Sequence, residues 1–404
     1  MVAPKRKIIN DPVYGFITIN HPLIFSILAH PYYQRLRRIT QMAMGQLVYP
    51  GAVHTRFHHS LGAYHLMGNA VNELRSKGTE ITEEEEIAVK AAILLHDIGH
   101  GPYSHALEHV VVKGVHHEAL SLQIMHEMNA AFDGQLTLAI QIFTGAYHKP
   151  FLHQLISGQL DMDRMDYLSR DSFFCGVSEG VIGYDRILKM LVVVDGQLMI
   201  EEKGIYSVEK FLVARRQMYW QVYLHKTVLS AEKMMVKILE RARSLYTSTD
   251  AAMQTQSALD YFLGAFTGVM DSFALAQFCA LDDHDIMHAI KRWSAHPDKV
   301  LSLLCSRFLT RKLYKTTIQS EPFLAATIAA KQKESVDAFE LDPSEVDYVC
   351  FTGEATNTLY QTKDERINIL FKDGSIKDIS LIDNALIHQN LSAAVKKNYI
   401  CQLL

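Results

Sequence analysis

Apolar residues recur at helical spacing along most of this chain. From about Thr55 the pattern predicts a helix with Leu61, Tyr64, Met67, Val71 and Leu74 on one face. A second start signal follows, because Thr82 with Glu85 three residues on makes a capping box. Glu83 to Glu86 then set negative charge at the positive end of that helix dipole, so the acidic run is structural. The helix turns Ile87, Ala91, Leu94 and Leu95 inward and carries His96-Asp97 at its far end, where Gly99, Gly101 and Pro102 stop it. Ser104–Val112 and His116–Met128 are predicted as two further helices, and residues 131–158 continue the pattern. Val208–Thr247 reads as one long helix, and residues 250–330 as helical with Trp293, Phe308 and Leu313 in the core.

Period-two stretches are short. Tyr14–Ile19, after the Asp11-Pro12 turn, predicts a small strand or hairpin. Asp195-Gly196 inside LVVVDGQLMIEE is a strong hairpin signal. His21-Pro22 opens a helix through Ala29. Pro31 opens another holding Gln34, Arg35, Arg37, Arg38 and Gln41, whose arginines read either as a solvated face or as phosphate contacts. From about Ser344 the character changes to DYVCF, a second Asp-Gly hairpin in INILFKDGSIKDISL, and a helix near Ala385–Lys397. The expected fold is mainly α: a helical core with small β-hairpins and a C-terminal α+β appendage. The expected division is a catalytic core over 1–245, a helical extension over 246–343 and the appendage over 344–404.

An apolar content of 49% supports a large core. The net charge of -4 provides no global basic field, so nucleic acid is not favoured as a partner, although a local basic site can still hold a small anion. The five cysteines are scattered without CxxC spacing and read as thiols of a reducing compartment. The N-terminal MVAPKRKIIN has no apolar signal region and no later run reaches membrane-spanning length, so a cytoplasmic protein without membrane contact is expected.

The chemistry concentrates in two stretches. Of 20 histidines, ten fall between His54 and His117. His65 and His109 sit among apolar residues and read as packed side chains. His96-Asp97 joins an imidazole to a hard carboxylate, a donor pair suited to Zn, Fe, Mn or Ni, although such a dipeptide at a helix end also caps or solvates. Arg56 and His59 stand near a helix start, where backbone N–H groups favour anions. The second stretch is QLDMDRMDYLSRD, residues 159–171. Asp161, Asp163, Asp166 and Asp171 lie there with Arg164 and Arg170 among apolar neighbours, so some of these charges are buried and must be paired or bind metal.

Taken in order, HTRFHHSLG, HDIGHGPYSH, DMDRMDYLSRD and YLHK resemble the HD-domain phosphohydrolases, and most of all their deoxynucleoside triphosphate triphosphohydrolase branch. The likeness runs from about Asp11 to Val228 and more loosely beyond. It implies an HD-type helical core and metal ligands His59, His96, Asp97 and Asp163, with His58 the lesser candidate. It further assigns His100, His105, His117 and Glu108 to catalysis. Arg56, Arg164, Tyr167, Asp171, Arg215 and Tyr223 are assigned to substrate binding, with Gln41 and Met42 beside the sugar. Glu108 stands where the family has an aspartate, and Arg164 where the animal enzyme has a lysine. The implied cofactors are one transition-type divalent metal (Fe, Mn, Zn or Ni) and Mg with the substrate phosphates. The implied partners are a nucleotide and further copies of the chain, as a dimer or tetramer. His105 is the expected acid for the leaving 5′-oxygen. The animal enzyme reads a guanine activator with an aspartate just before a Pro…Gln-Arg-Leu-Arg run; here Ala29 stands at that position, so a guanine-specific activator is not expected.

Rival readings are a phosphohydrolase of another nucleotide, monophosphate or cyclic, and a silent nucleotide sensor. The Glu-Asp that follows His-Asp in stringent-response hydrolases is missing. So are the HDIGK and Gly-Tyr-Pro signatures of cyclic-di-GMP hydrolases.

Overall fold

The computed structural model describes residues 6–112, 114–357, 366–382 and 395–404. It is mainly α with small sheets, as the periodicity predicts. Six helices frame the site: α1 (Arg56–Ser76), α2 (Glu83–Leu95), α3 (His117–Ala131), α4 (Met162–Cys175), α5 (Ile205–Gln217) and α6 (Lys226–Leu245). α1 is central and packs on both α2 and α4. The Thr82–Glu85 capping box is present at the start of α2. α1 opens on an unusual version of the same device: Thr55 caps it and His58, not an acid, reaches back to the Thr55 N–H at 3.1 Å. His58 is therefore occupied in starting the helix.

The arginine segment differs from its prediction. Only Pro31–Gln34 is α-helical, Arg35–Arg38 tightens to a 3-10 turn, and Gln41 lies outside both. The cause is that Arg35 turns inward, buried, and donates to the carbonyls of Ile98 (2.8 Å) and Leu281 (3.3 Å). Ser104–Val112 is likewise not one helix but a 3-10 turn, Ser104–Ala106, and a single α-turn, Glu108–Val111. Tyr103 and Ser104 both have φ of 52°, a left-handed pair that no continuous helix accommodates. The long helix predicted over Val208–Thr247 is interrupted between α5 and α6 by a π-helical turn, Met218–Tyr223. Such turns gather at functional sites because they re-aim one side chain; here it is Tyr223.

The strands are β1 (Lys7–Asp11), β2 (Gly15–Ile19), β3 (Leu191–Val194), β4 (Gln197–Glu201), β5 (Lys315–Gln319), β6 (Cys350–Asn357), β7 (Asn368–Leu370), β8 (Ile376–Asp378) and β9 (Val395–Gln402). β1–β2, β3–β4 and β7–β8 are the three expected hairpins. β4 also pairs in parallel with β7, and β9 lies between β5 and β6. The C-terminal strands thus complete sheets begun in the earlier segments, and β5 falls inside a stretch read as helix. Of the helix predicted near Ala385–Lys397, residues 385–394 lie outside the described residues, while 395–397 open β9. Among the described residues no helix is long and apolar enough to cross a membrane.

Candidate active site

Four side chains from three segments meet where α1, α2 and α4 converge. His59 Nε2 lies 3.4 Å from His96 Nε2, 3.0 Å from Asp163 Oδ1 and 3.5 Å from Asp97 Oδ2. His96 Nε2 is 3.4 Å from both Asp163 Oδ1 and Asp97 Oδ1. The outer nitrogens of the two imidazoles are already engaged: His96 Nδ1 with the Ile93 carbonyl at 2.6 Å, His59 Nδ1 with Asp166 Oδ2 at 2.7 Å. That arrangement fixes ring orientation and leaves both Nε2 atoms facing one another, the support seen behind metal-bound histidines. Donor atoms of His59, His96 and Asp163 fall within 4.8 Å of each other, so the residues fit a divalent metal.

The electrostatics agree. Burial alone would lower the His59 imidazole, but its hydrogen bonds to Asp163 and Asp166 outweigh that and push the value up to about 10. Burial would raise Asp97 and Asp163, yet Arg56 and His96 hold the first, and His59 and His96 the second, well below the usual carboxylate range. The paired carboxylates and imidazoles thus make a place where positive charge is favoured, as a divalent ion would supply.

Behind the centre runs a buried chain that sequence reasoning left without roles. Asp166 accepts from Arg170 at 2.9 and 3.0 Å, and Arg170 donates to Asp11 at 2.8 Å. Gly62 is required by this chain, because a Cβ there would lie 1.9 Å from Asp166 Oδ1. Gly99 is required in the same way, since its Cβ would meet the His117 carbonyl at 2.2 Å and the Ser121 nitrogen at 2.3 Å. Ser121, also missed, accepts from Gly99 N–H and donates to the His96 carbonyl.

The centre opens into a cavity of about 680 Å³. Of the predicted residues, Asp97, Asp163, Arg56, His100, His105 and His117 line it near the centre. Gln41, Met42, Tyr167, Asp171, Arg215 and Tyr223 line the remainder. Arg56 pairs with Asp97 and donates to Ser104 Oγ at 2.7 Å. His100 and His117 stack at 4.0 Å, with His105 edge-on at 4.6 and 5.1 Å. Glu108 stands outside the cavity lining and engages Nδ1 of both His117 (2.7 Å) and His105 (3.1 Å). Burial would raise its carboxyl, but those hydrogen bonds hold it far below the usual range. Burial, then Arg56, holds the His100 imidazole well below its usual value. Arg164 does not line the cavity; its guanidinium lies 3.7 Å from Asp161, the residue that caps α4.

Two further groups were given no role from the sequence, although His54 opens the HTRFHHSLG motif. His54 Nε2 meets Asp171 Oδ1 at 2.7 Å, opposite the Tyr223 hydroxyl, which donates to Oδ2 at 2.8 Å. Asp283 accepts from the backbone N–H of Tyr103 (2.7 Å) and of Thr40 (2.8 Å), tying together the loops that carry His105 and Gln41.

These features define a buried histidine–aspartate cluster able to hold a metal, beside a cavity that Arg56 and Arg215 also line. The HD domain family matches residues 56–171, and the family described as HD associated region matches residues 182–262. The chain belongs to the HD-domain phosphohydrolase family. It is 48% identical to a phosphohydrolase of Bacteroides thetaiotaomicron of known structure, with a TM-score of 0.91 over 98% of this chain and 100% of that one. It is 31% identical to the uncharacterized protein YwfO of Bacillus subtilis over 93% of this chain and 87% of the relative. It is 26% identical to the deoxynucleoside triphosphate triphosphohydrolase SAMHD1 of Bos taurus over 100% of this chain and 73% of the relative.

Proposed function

We propose that this chain hydrolyses deoxynucleoside triphosphates to a deoxynucleoside and tripolyphosphate. The observation that carries the reading is the junction of the His59, His96, Asp97 and Asp163 centre with a cavity of nucleotide size that holds both arginines and tyrosines. His59, His96, Asp97 and Asp163 would hold a transition-type divalent metal, which when bound acidifies water and neutralises phosphate charge. Arg56, fixed by Asp97 and Ser104, presents its charge to the phosphate oxygens, and Arg215 adds a second. A Mg ion bound with the substrate would neutralise the remaining phosphate charge. His105 donates a proton from Nε2 to the leaving 5′-oxygen while Glu108 holds its Nδ1. Asp171, steadied by His54 and Tyr223, accepts from a sugar hydroxyl. Gln41 and Met42 line the same cavity and would sit near the sugar, where close packing would disfavour a 2′-hydroxyl. Tyr167 and Tyr223 offer ring faces to the sugar and base.

Metal analysis of the purified protein, combined with a nucleotide screen for released phosphate, pyrophosphate or tripolyphosphate, tests the reading. Tripolyphosphate from deoxynucleotides supports it. Single phosphate from monophosphates or cyclic nucleotides overturns it in favour of another HD phosphohydrolase.

A further inference from the structure

α6 supplies one wall of the cavity through Val228, Glu232, Lys233 and Val236, of which Val228, Glu232 and Val236 stand four apart on one helical face. A single carboxyl thus stands between two valines. Among the described residues no hydrogen bond or ion pair joins it to the protein. The neighbouring Lys233 aims its ammonium over the Tyr399 ring at 6.0 Å. Burial pushes the Glu232 carboxyl up to about 7, with Lys233 opposing. The side chain is half-buried and faces the cavity, where a ligand group can meet it.

The ligand's chemistry decides what Glu232 meets. A phosphate next to it would set like charges together, and the phosphate charge is already answered by Arg56, Arg215 and the metal centre. The sugar hydroxyl is answered by Asp171. The base remains. In its ionised form the carboxyl accepts two parallel N–H bonds and donates none, and a pair of N–H donors favours that form. It therefore suits an edge with adjacent imino and amino donors and repels an imino group flanked by carbonyl oxygens, as in thymine.

We propose that Glu232 reads the base of the nucleotide and selects an edge with adjacent imino and amino donors, as guanine has. The proposal rests on the nucleotide reading of the cavity. The test compares dGTP with dITP, which lacks only the 2-amino group, by kcat/KM. It also compares deoxyguanosine with deoxyinosine by equilibrium binding to the metal-loaded protein. In the wild type the guanine compound is expected to be favoured about tenfold in both measurements, as one lost hydrogen bond in a reading site implies. Glu232→Gln, checked for an unchanged melting temperature, is expected to bring the ratio within about twofold of unity. A wild-type ratio near unity in binding, or a ratio that survives Glu232→Gln, overturns the proposal. Base discrimination in binding without any hydrolysis would support Glu232 while sinking the triphosphohydrolase reading; hydrolysis without discrimination would do the reverse.

Discussion

Asp166 Oδ2 lies 2.7 Å from His59 Nδ1, and both side chains are fully buried. The carboxylate fixes which nitrogen of His59 faces the metal centre, and Arg170 fixes the carboxylate. Asp166→Asn keeps the shape but removes the charge, and is expected to weaken metal affinity by about 10- to 100-fold, the usual effect of losing such a partner. Metal titration of the purified variant checks this; wild-type affinity would show that Asp166 serves packing alone.

Asp163 is the ligand candidate from the segment most distant in sequence. Asp163→Ala is expected to strip the metal and abolish hydrolysis while the helical circular-dichroism signal stays largely intact. Full occupancy in that variant would remove Asp163 from the ligand set.

His105 is the most exposed of the three clustered histidines, its side chain 67% accessible, against 2% for His100 and 21% for His117. It is free to reach a substrate oxygen. His105→Ala should lower turnover by about two to four powers of ten, the range for losing general acid help, with metal content unchanged. Near-normal turnover would move the role to His100 or His117.

Glu108 carries a pH dependence. Its folded carboxyl titrates far below the unfolded one, so its stabilising contribution is complete above the ordinary glutamate range. That contribution declines as pH falls below that range and is gone once the depressed value is passed. Glu108→Gln should therefore cost about 1–3 kcal/mol at pH 7, with a smaller deficit at pH 3.5. Paired thermal melts measure it, and a deficit that grows on acidification contradicts the assignment.

Ala29, Gln34 and Arg37 share a groove with Lys7 and Phe57. Arg37 stacks on Phe57 at 3.6 Å, and Gln34 donates to the Leu28 carbonyl at 2.5 Å. A methyl group at Ala29 accepts nothing from guanine. GTP is accordingly not expected to be a required, guanine-specific activator. Initial rates on a deoxynucleoside triphosphate, with and without GTP or ATP, decide this; strong stimulation by GTP alone would show that other residues read guanine.

Local devices were legible in the sequence: the Thr82–Glu85 cap, the Asp-Gly hairpins and the glycine stop after His96-Asp97 all depend on neighbours within a few residues. The ordered motifs supplied the ligand set by resemblance, and the structure brings those four side chains together. What lay hidden depends on partners far along the chain. Nothing near Asp283 or Asp11 marks either as a support of the site, since each acts on residues more than 150 positions away. The break between α5 and α6 was equally unreadable, because a single π-helical turn slips the register by one residue, too little to show in the apolar pattern of a long helix. Arg164 is placed by its motif at the phosphates; its guanidinium lies 3.7 Å from Asp161, the residue that caps α4.

The placement of β9 between β5 and β6 has a kinetic consequence. β5 spans Lys315–Gln319, yet its hydrogen-bonding partner is Val395–Gln402. During synthesis, which proceeds at about 5–20 residues per second, β5 waits several seconds with an unpaired edge. The helices that carry the metal centre have all emerged by then, so they are able to assemble first. The three-stranded sheet forms last, in a step that resembles the docking of a separate peptide. Slow translation or a stalled ribosome would thus leave a chain with its chemistry in place and an adhesive strand edge exposed, a species prone to pairing with its neighbours.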